Sequence, residues 1–169
     1  MRHPFGELVG GTEGERLAYA AGLIDGEGCI GAYNTRPKTD TVRAAFFQLT
    51  VRVAMKTPRP VEFLYALFGG ARHIQLQKGP GKPGPYFVWQ ARNVQAEECL
   101  RRLLPYLVEK REQAVVALEF GEFRRLQRSN APRSNRYTPD MITAREVYVD
   151  QLKALKRTIQ EPVWEDERP

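Results

Sequence analysis

The sequence has few of the residues that build disulfide frameworks and metal clusters. It contains two cysteines, Cys29 and Cys99, which lie far apart and lack the paired spacing of a zinc site. This scarcity argues against a disulfide-stabilised secreted domain and favours a reducing compartment. No apolar run approaches the ~18 residues of a membrane span, and the first residues lack the basic-then-apolar order of a signal peptide. We therefore expect an intracellular protein with no membrane partner.

Acidic residues are scarce in the middle of the chain. The whole chain has a net charge of +6 and a pI of about 9.5. Residues 28–96 hold ten basic and two acidic side chains, a net charge of +8, whereas residues 1–27 carry −3 and the remainder +1. A basic segment of this kind suggests a polyanionic partner such as nucleic acid, although a solvated basic surface would have the same composition.

Changes of hydrophobic period divide the chain into helices and strands. The period predicts helices over 13–25, 58–68, 95–103 and 105–125, strands over 29–35, 48–53, 72–77 and 86–92, and a last helix with Met141, Ala144, Tyr148, Leu152 and Leu155 on its apolar stripe. This order, αββαββα plus extra C-terminal helices, predicts an α+β fold with a four-stranded antiparallel sheet covered by helices on one face. We predict a core domain over 1–126, an Arg/Ser/Asn/Pro-rich linker over 127–139, and a C-terminal helix and tail over 140–169.

The uncovered face of this sheet is predicted to be polar but poor in carboxylates. Strand alternation places there Gln48, Thr50, Arg52, His73, Gln75, Gln77, Gln90 and Arg92. Such side chains suit base edges in a major groove, whereas a plain solvated face usually holds more Glu and Lys. We expect base reading by Tyr33, Gln48, Thr50, Arg52, Gln75 and Gln77, a base or phosphate contact by His73, and phosphate contacts by Arg36, Lys38, Arg43, Lys78 and Lys82.

An unusual stretch joins the first helix to the first strand. It reads Ala-Ala-Gly-Leu-Ile-Asp-Gly-Glu-Gly over residues 20–28 and resembles the LAGLIDADG motif of homing endonucleases. Ala-Gly-Leu-Ile-Asp is intact at 21–25, and Glu27 stands in place of the second acid of the motif. The element order and residues 104–114 extend the likeness to the single-motif, homodimeric members. Met55 departs from it, because a polar residue is expected there beside the site.

The small residues of this stretch suggest a helix interface. Ala21 and Gly22 present almost no side chain, so the helix can pack closely on its copy across a two-fold axis, and Asp25 is placed beside that interface. Each copy would then bring one Glu27 to the centre. Two adjacent carboxylates resist joint ionisation unless a cation lies between them, and an oxygen-ligand site suits Mg²⁺.

The resemblance implies specific roles for the residues that match it. Glu27 of each subunit binds a divalent metal, Mg²⁺ or Mn²⁺ in its place, with the Gly26 carbonyl as a further ligand. Lys110 lies near the attacking water and phosphate, although it also fits a plain surface lysine. From the residues themselves we expect Asp25 to be structural and to bind backbone groups near the helix end, and Cys29, although it follows the motif, to be a small strand residue. Arg59 is a candidate phosphate contact. The Arg-rich stretch from Arg124 to Arg136 is a second candidate, although it equally fits a solvated tail.

The sequence therefore predicts a site-specific DNA endonuclease of the homing type. It would cut a long, nearly palindromic duplex as a Mg²⁺-dependent homodimer. The size of the chain favours an intron as the location of its reading frame, and an intein stays open as the alternative. The alternative is a protein of the same fold that binds without cutting, either a splicing maturase that grips intron RNA or a DNA-binding regulator.

Overall fold

The computed structural model describes residues 10–35, 46–76, 84–129 and 138–157. The elements in chain order are α1 (Glu13–Glu27), β1 (Gly28–Thr35), β2 (Phe46–Met55), α2 (Pro58–Phe68), β3 (Ala71–Gln75), β4 (Tyr86–Arg92), α3 (Val94–Leu103), α4 (Arg111–Ser129) and α5 (Pro139–Arg157). The α+β class and the αββαββα order with additional C-terminal helices are confirmed. Among the described residues, no helix is long and apolar enough to cross a membrane.

Specific residues at each end fix the bounds of helix α1. The Thr12 side chain accepts a hydrogen bond from the Glu15 N–H at 3.3 Å, and the Glu15 carboxylate accepts one from the Thr12 N–H at 2.6 Å, which is the predicted capping box. The helix continues through Glu27 instead of ending at Asp25. At Gly28 a Cβ would lie 2.5 Å from the Ile24 carbonyl oxygen, so only glycine fits the turn from helix into strand.

The four strands form one antiparallel sheet in the order β1-β2-β4-β3. Its inner face carries Leu49, Val51, Val53 and Trp89, each with 0% exposure, and packs against the helices. The Trp89 indole N–H also donates to the Gly69 carbonyl oxygen at 2.8 Å. The predicted one-sided cover is thus confirmed. We call the opposite side, which includes Cys29, Gln48, Arg52, His73, Gln75 and Gln90, the open face.

The helix predicted over 105–125 is displaced along the chain. It begins at Arg111 and runs to Ser129, because residues 104–110 instead form an irregular loop that binds the end of α1. The predicted linker over 127–139 therefore starts inside α4, and its last residue, Pro139, begins α5. Residues 130–137 lie outside the described part.

Helix α5 packs against α4 and against the edge strand β1. Its buried residues are Arg145, Val149 and Leu152, so of the predicted stripe only Leu152 belongs to the buried set. The Arg145 side chain is buried. Its Nε donates a hydrogen bond to the Gln127 side-chain oxygen at 2.6 Å, and the central carbon of its guanidinium lies 5.8 Å from the centre of the Phe47 ring. A charged residue that pairs in this way is compatible with an interior position, which hydrophobic periodicity does not detect.

Candidate nucleic-acid interface and metal site

Glu27 is an exposed carboxylate at the junction of α1 and β1. It is the last residue of the helix, and the sheet begins with the next residue. The register places this junction at the end of the sheet where β2 finishes, since Gly28 pairs with Val53. Glu27 therefore lies at one end of the sheet, and the open face extends from that end along the strands.

Asp25 ties a distant loop to this junction. Its two carboxylate oxygens accept hydrogen bonds from the backbone N–H groups of Val108 at 2.8 Å and Lys110 at 2.9 Å. The Lys110 ammonium in turn donates to the Asp25 carbonyl oxygen. The prediction that Asp25 binds backbone groups near the helix end is confirmed, and the same contacts bring Lys110 to the motif.

The donor atoms at this junction fit a hard divalent cation. Within the described residues the Glu27 carboxylate makes no hydrogen bond or ion pair, so no described group competes with a ligand for its oxygens. The Gly26 carbonyl belongs to the last turn of α1, where carbonyl groups lack helical partners. The described part of one protomer contains no group of three or more His, Cys, Asp or Glu side chains able to hold a metal. Bound water and substrate phosphates commonly complete the ligand set of Mg²⁺.

The open face carries most of the described polar residues that the sequence assigned to it. Tyr33, His73, Gln75 and Arg92 are exposed, and Gln48, Arg52 and Gln90 are partly exposed. The side chains are linked among themselves: Arg92 donates to the Gln90 side-chain oxygen at 2.9 Å, and Arg52 donates to that of Gln75. Because Arg52 and Gln75 lie on β2 and β3, their bond spans β4. The face is thus an ordered array of donors and acceptors.

Thr50 is an exception on this face. Its register partner is Gly31, but the residue is only 3% exposed, and its hydroxyl donates to the Gly31 carbonyl oxygen at 3.4 Å. The expectation that Thr50 reads bases is therefore corrected, because its one donor is used inside the protomer.

Several expected contacts fall elsewhere. Arg59 is exposed in the first turn of α2, which follows the end of β2 near Glu27, and Met55 packs against the core instead of standing free in the site. Arg124 and Arg125 lie on α4, where Arg125 pairs with the buried Glu97. The remaining predicted contacts lie outside the described residues: Arg36, Lys38, Arg43, Gln77, Lys78 and Lys82.

The two small residues assigned to the helix interface have different environments. Gly22 is exposed, and a Cβ placed on it would meet no atom within 4 Å; the same is true of Gly26. Ala21 is 0% exposed and belongs to the protomer core. Its side chain packs inside the protomer, which corrects the expectation that it faces a partner.

A cluster on β1 involves a residue that the sequence did not identify. The Lys156 ammonium, on the last turn of α5, donates to Cys29 Sγ at 3.2 Å and lies 5.8 Å from the centre of the Tyr33 ring. Cys29 Sγ is also 3.6 Å from Tyr33 Oη. No periodic signal shows which strand a C-terminal helix reaches, so Lys156 could not be found from its local pattern.

The contacts within this cluster shift the pKa values of Cys29 and Tyr33, both on β1. Burial raises the pKa of the Cys29 thiol, but the Tyr33 hydrogen bond and the nearby Lys156 and Arg52 charges outweigh it, so the pKa falls below its usual range. Burial, followed by the hydrogen bond to Cys29 and the Cys29 charge, raises the pKa of Tyr33 to about 12. Lys156 therefore imposes a positive potential on this part of the open face.

Solved structures share this architecture, although no protein-family model and no curated protein matches the sequence. The homing endonuclease I-CvuI, in complex with an I-CreI target, aligns with a TM-score of 0.64 at 18% identity, over 88% of this chain and 85% of its own. The archaeal intron-encoded homing endonuclease I-Vdi141I, in complex with DNA, aligns with a TM-score of 0.52 at 15% identity, over 85% of this chain and 99% of its own.

The chain has the homing-endonuclease fold. The resemblance carried by residues 20–28 is thereby confirmed at the level of the fold. The meganuclease I-SmaMI, bound to uncleavable DNA, aligns with a TM-score of 0.53 at 12% identity, over 79% of this chain but 43% of its own. This chain thus matches less than half of one protein with the homing-endonuclease fold and almost all of another.

Proposed function

We propose that this protein is a site-specific double-strand DNA endonuclease of the LAGLIDADG homing type. It acts as a homodimer and cuts by metal-assisted phosphodiester hydrolysis. The observation that carries the proposal is the junction at the end of α1. There Asp25 is used to anchor the Lys110 loop, and Glu27 is left exposed at the end of a polar, carboxylate-poor sheet face.

The residues at the junction divide the chemistry between them. Glu27 and the Gly26 carbonyl hold the cation, and Asp25 positions Lys110 so that its ammonium can pair with a phosphate oxygen or the attacking water. When bound, Mg²⁺ polarises the scissile phosphate, activates water and stabilises the leaving oxygen. The exposed Arg59, which follows the adjacent strand, is placed to bind a neighbouring phosphate.

Two observations support the homodimer. One side of α1 is not covered by the protomer, and each protomer supplies a single Glu27. Gly22 and Gly26 are four residues apart, so they lie on one helix face, and no atom of the protomer fills the space beside them. A second α1 can approach there closely and bring the second Glu27 that one protomer lacks.

The sheet dimensions predict the length of the target. Strand β2 has 10 residues and at about 3.3 Å per residue spans about 33 Å. DNA rises about 3.4 Å per base pair, so one protomer follows about ten base pairs and a dimer about twice that number. Base readers are Tyr33, Gln48, Arg52, Gln75, Gln90 and Arg92, with His73 at a base or a phosphate.

The test is cleavage of a randomised duplex library by the wild type and by Glu27→Gln, each with Mg²⁺ and with EDTA. We expect only the wild type with Mg²⁺ to cut, at a long and nearly palindromic site, and Glu27→Gln to lower the rate by about 10³-fold or more. The matched control is Glu119→Gln, because Glu119 is an exposed acid on α4, and this variant should cut like the wild type.

Two other results would contradict the proposal in different ways. Equal cutting by Glu27→Gln and the wild type would remove Glu27 from the metal site. If neither protein cuts but both retain one duplex or one RNA, the protein binds without cleaving, as a regulator or a maturase would. Efficient cutting of a target that matches only one half would exclude the symmetric dimer.

A further inference from the structure

Helix α5 brings a cation to the open face from the opposite side of the sheet. Its buried residues Val149 and Leu152 pack with the inner core, whereas Lys156 reaches Cys29, whose register partner Arg52 marks the open face. The helix therefore passes the edge of the sheet at β1. Its last turn meets the face that carries the polar array.

The strand accommodates this approach by lacking a side chain at one position. Gly31 lies between Cys29 and Tyr33 on the same side of β1, and a Cβ there would lie 2.9 Å from Lys156 Nζ and 2.8 Å from Tyr33 Oη. The glycine thus leaves the space that the ammonium and the phenol occupy. Contacts with Cys29 and Tyr33 then hold Lys156 above the strand.

No described carboxylate balances the charge of Lys156. Its described contacts are a thiol and an aromatic ring, and within residues 10–35, 46–76, 84–129 and 138–157 no carboxylate forms an ion pair with it. Lys153, one turn earlier on the same helix, is paired with Asp150 at 2.9 Å. Lys156 is exposed, so its ammonium remains available to an anion.

The position of β1 in the sheet identifies the kind of anion. Four strands spaced about 4.8 Å apart are about 14 Å wide, whereas a DNA major groove is about 12 Å wide. An edge strand of a sheet in the groove therefore lies against the phosphate wall, and β1 is an edge strand. Cys29 is two residues from Glu27 along the chain, so a phosphate bound beside Cys29 lies near the scissile bond.

We propose that Lys156 binds a DNA backbone phosphate beside the scissile bond, which makes the C-terminal helix part of the DNA interface. This inference rests on the proposed endonuclease function, in which the open face reads bases, and it assumes that the sheet lies in the major groove, where base edges are accessible. It adds a phosphate contact from an element that lies outside the motif and outside the four strands.

The first test measures binding of the duplex that the wild type recovers from the randomised library, in EDTA and between 50 and 200 mM salt. Lys156→Gln should weaken binding by about tenfold per half-site, and the slope of log affinity against log salt should fall by about 0.9 per half-site. Lys156→Arg should restore both values. Lys153→Gln removes the same charge one turn away and should leave both unchanged.

The second test uses the thiol beside Lys156. Iodoacetamide should alkylate Cys29 in the free wild type, and saturating duplex should slow that reaction about tenfold or more, because the phosphate backbone covers the cluster. Cys99 is 1% exposed and serves as the internal control, since it should resist alkylation in both states.

These outcomes separate the inference from the function on which it rests. If the wild type binds the duplex but Lys156→Gln matches Lys153→Gln in affinity and salt slope, the Lys156 contact is wrong while the endonuclease proposal stands. Unchanged alkylation of Cys29 in the bound protein would overturn it equally. If the wild type binds no duplex, both proposals fail together.

Discussion

The two faces of the sheet use alternate residues of the same strands for different purposes. On β2, Leu49, Val51 and Val53 are fully buried, while Gln48 and Arg52 on the other side remain partly exposed. The inner face gains its free energy from removing apolar area from water. The open face keeps polar groups available for a partner. Substitutions on the inner face should therefore change stability, and those on the open face should change affinity for DNA.

The largest expected effect is on the inner face, at Trp89. Trp89→Ala removes a fully buried indole and its hydrogen bond to the Gly69 carbonyl, and should lower the free energy of unfolding by about 3–5 kcal/mol. Arg92→Ala, on the same strand but on the open face, should change it by less than about 0.5 kcal/mol and instead weaken DNA binding. Urea unfolding and duplex binding measure the two effects, and equal destabilisation by both variants would break the distinction.

A smaller pair of effects tests whether α1 has the same two-sided character. Ala21→Leu overfills the buried side and should destabilise the protomer by about 1–3 kcal/mol. Gly22→Ala meets open space and should stabilise the protomer by about 0.5–1 kcal/mol, because alanine favours a helix over glycine.

The same glycine variant should weaken self-association, since its methyl group would separate two closely packed helices. Sedimentation measures the oligomeric state and urea unfolding the stability of each variant. A Gly22→Ala protein that associates as the wild type does would remove Gly22 from the proposed interface.

Local patterns predicted most of the elements. Helix α2 and strand β4 have the predicted bounds, because a proline start, a Gly-Gly stop and a Gly/Pro-rich turn before the strand are signals contained in or beside the segments themselves. In both elements neighbouring residues decide the structure. The backbone-binding role of Asp25 was predicted as well, although its partners, Val108 and Lys110, lie 83 and 85 residues away.

The failures arise from contacts between distant parts of the chain. The loop at 104–110 replaces a predicted helical turn because Val108 binds Asp25, 83 residues earlier. Lys156 reaches Cys29 across 127 residues, and neither end of that contact has a local signal. Thr50 alternates as a base reader should, yet its hydroxyl is used by the adjacent strand. Periodicity assigns a residue to a face, whereas tertiary packing decides whether that residue is free.

The smallest expected effect compares the thiols of the two faces. The pKa of Cys29, on the open face, lies below its usual range, whereas burial raises that of Cys99 in the core. A lower pKa means more thiolate at a given pH, so iodoacetamide at neutral pH should modify Cys29 first.

In Lys156→Gln the loss of the positive charge should raise the pKa of Cys29 and move the pH profile of its alkylation rate to higher pH. Lys153→Gln should leave the profile in place, because Lys153 is paired with Asp150. A profile that both variants leave unmoved would show that the Lys156 ammonium does not rest on Cys29 in solution.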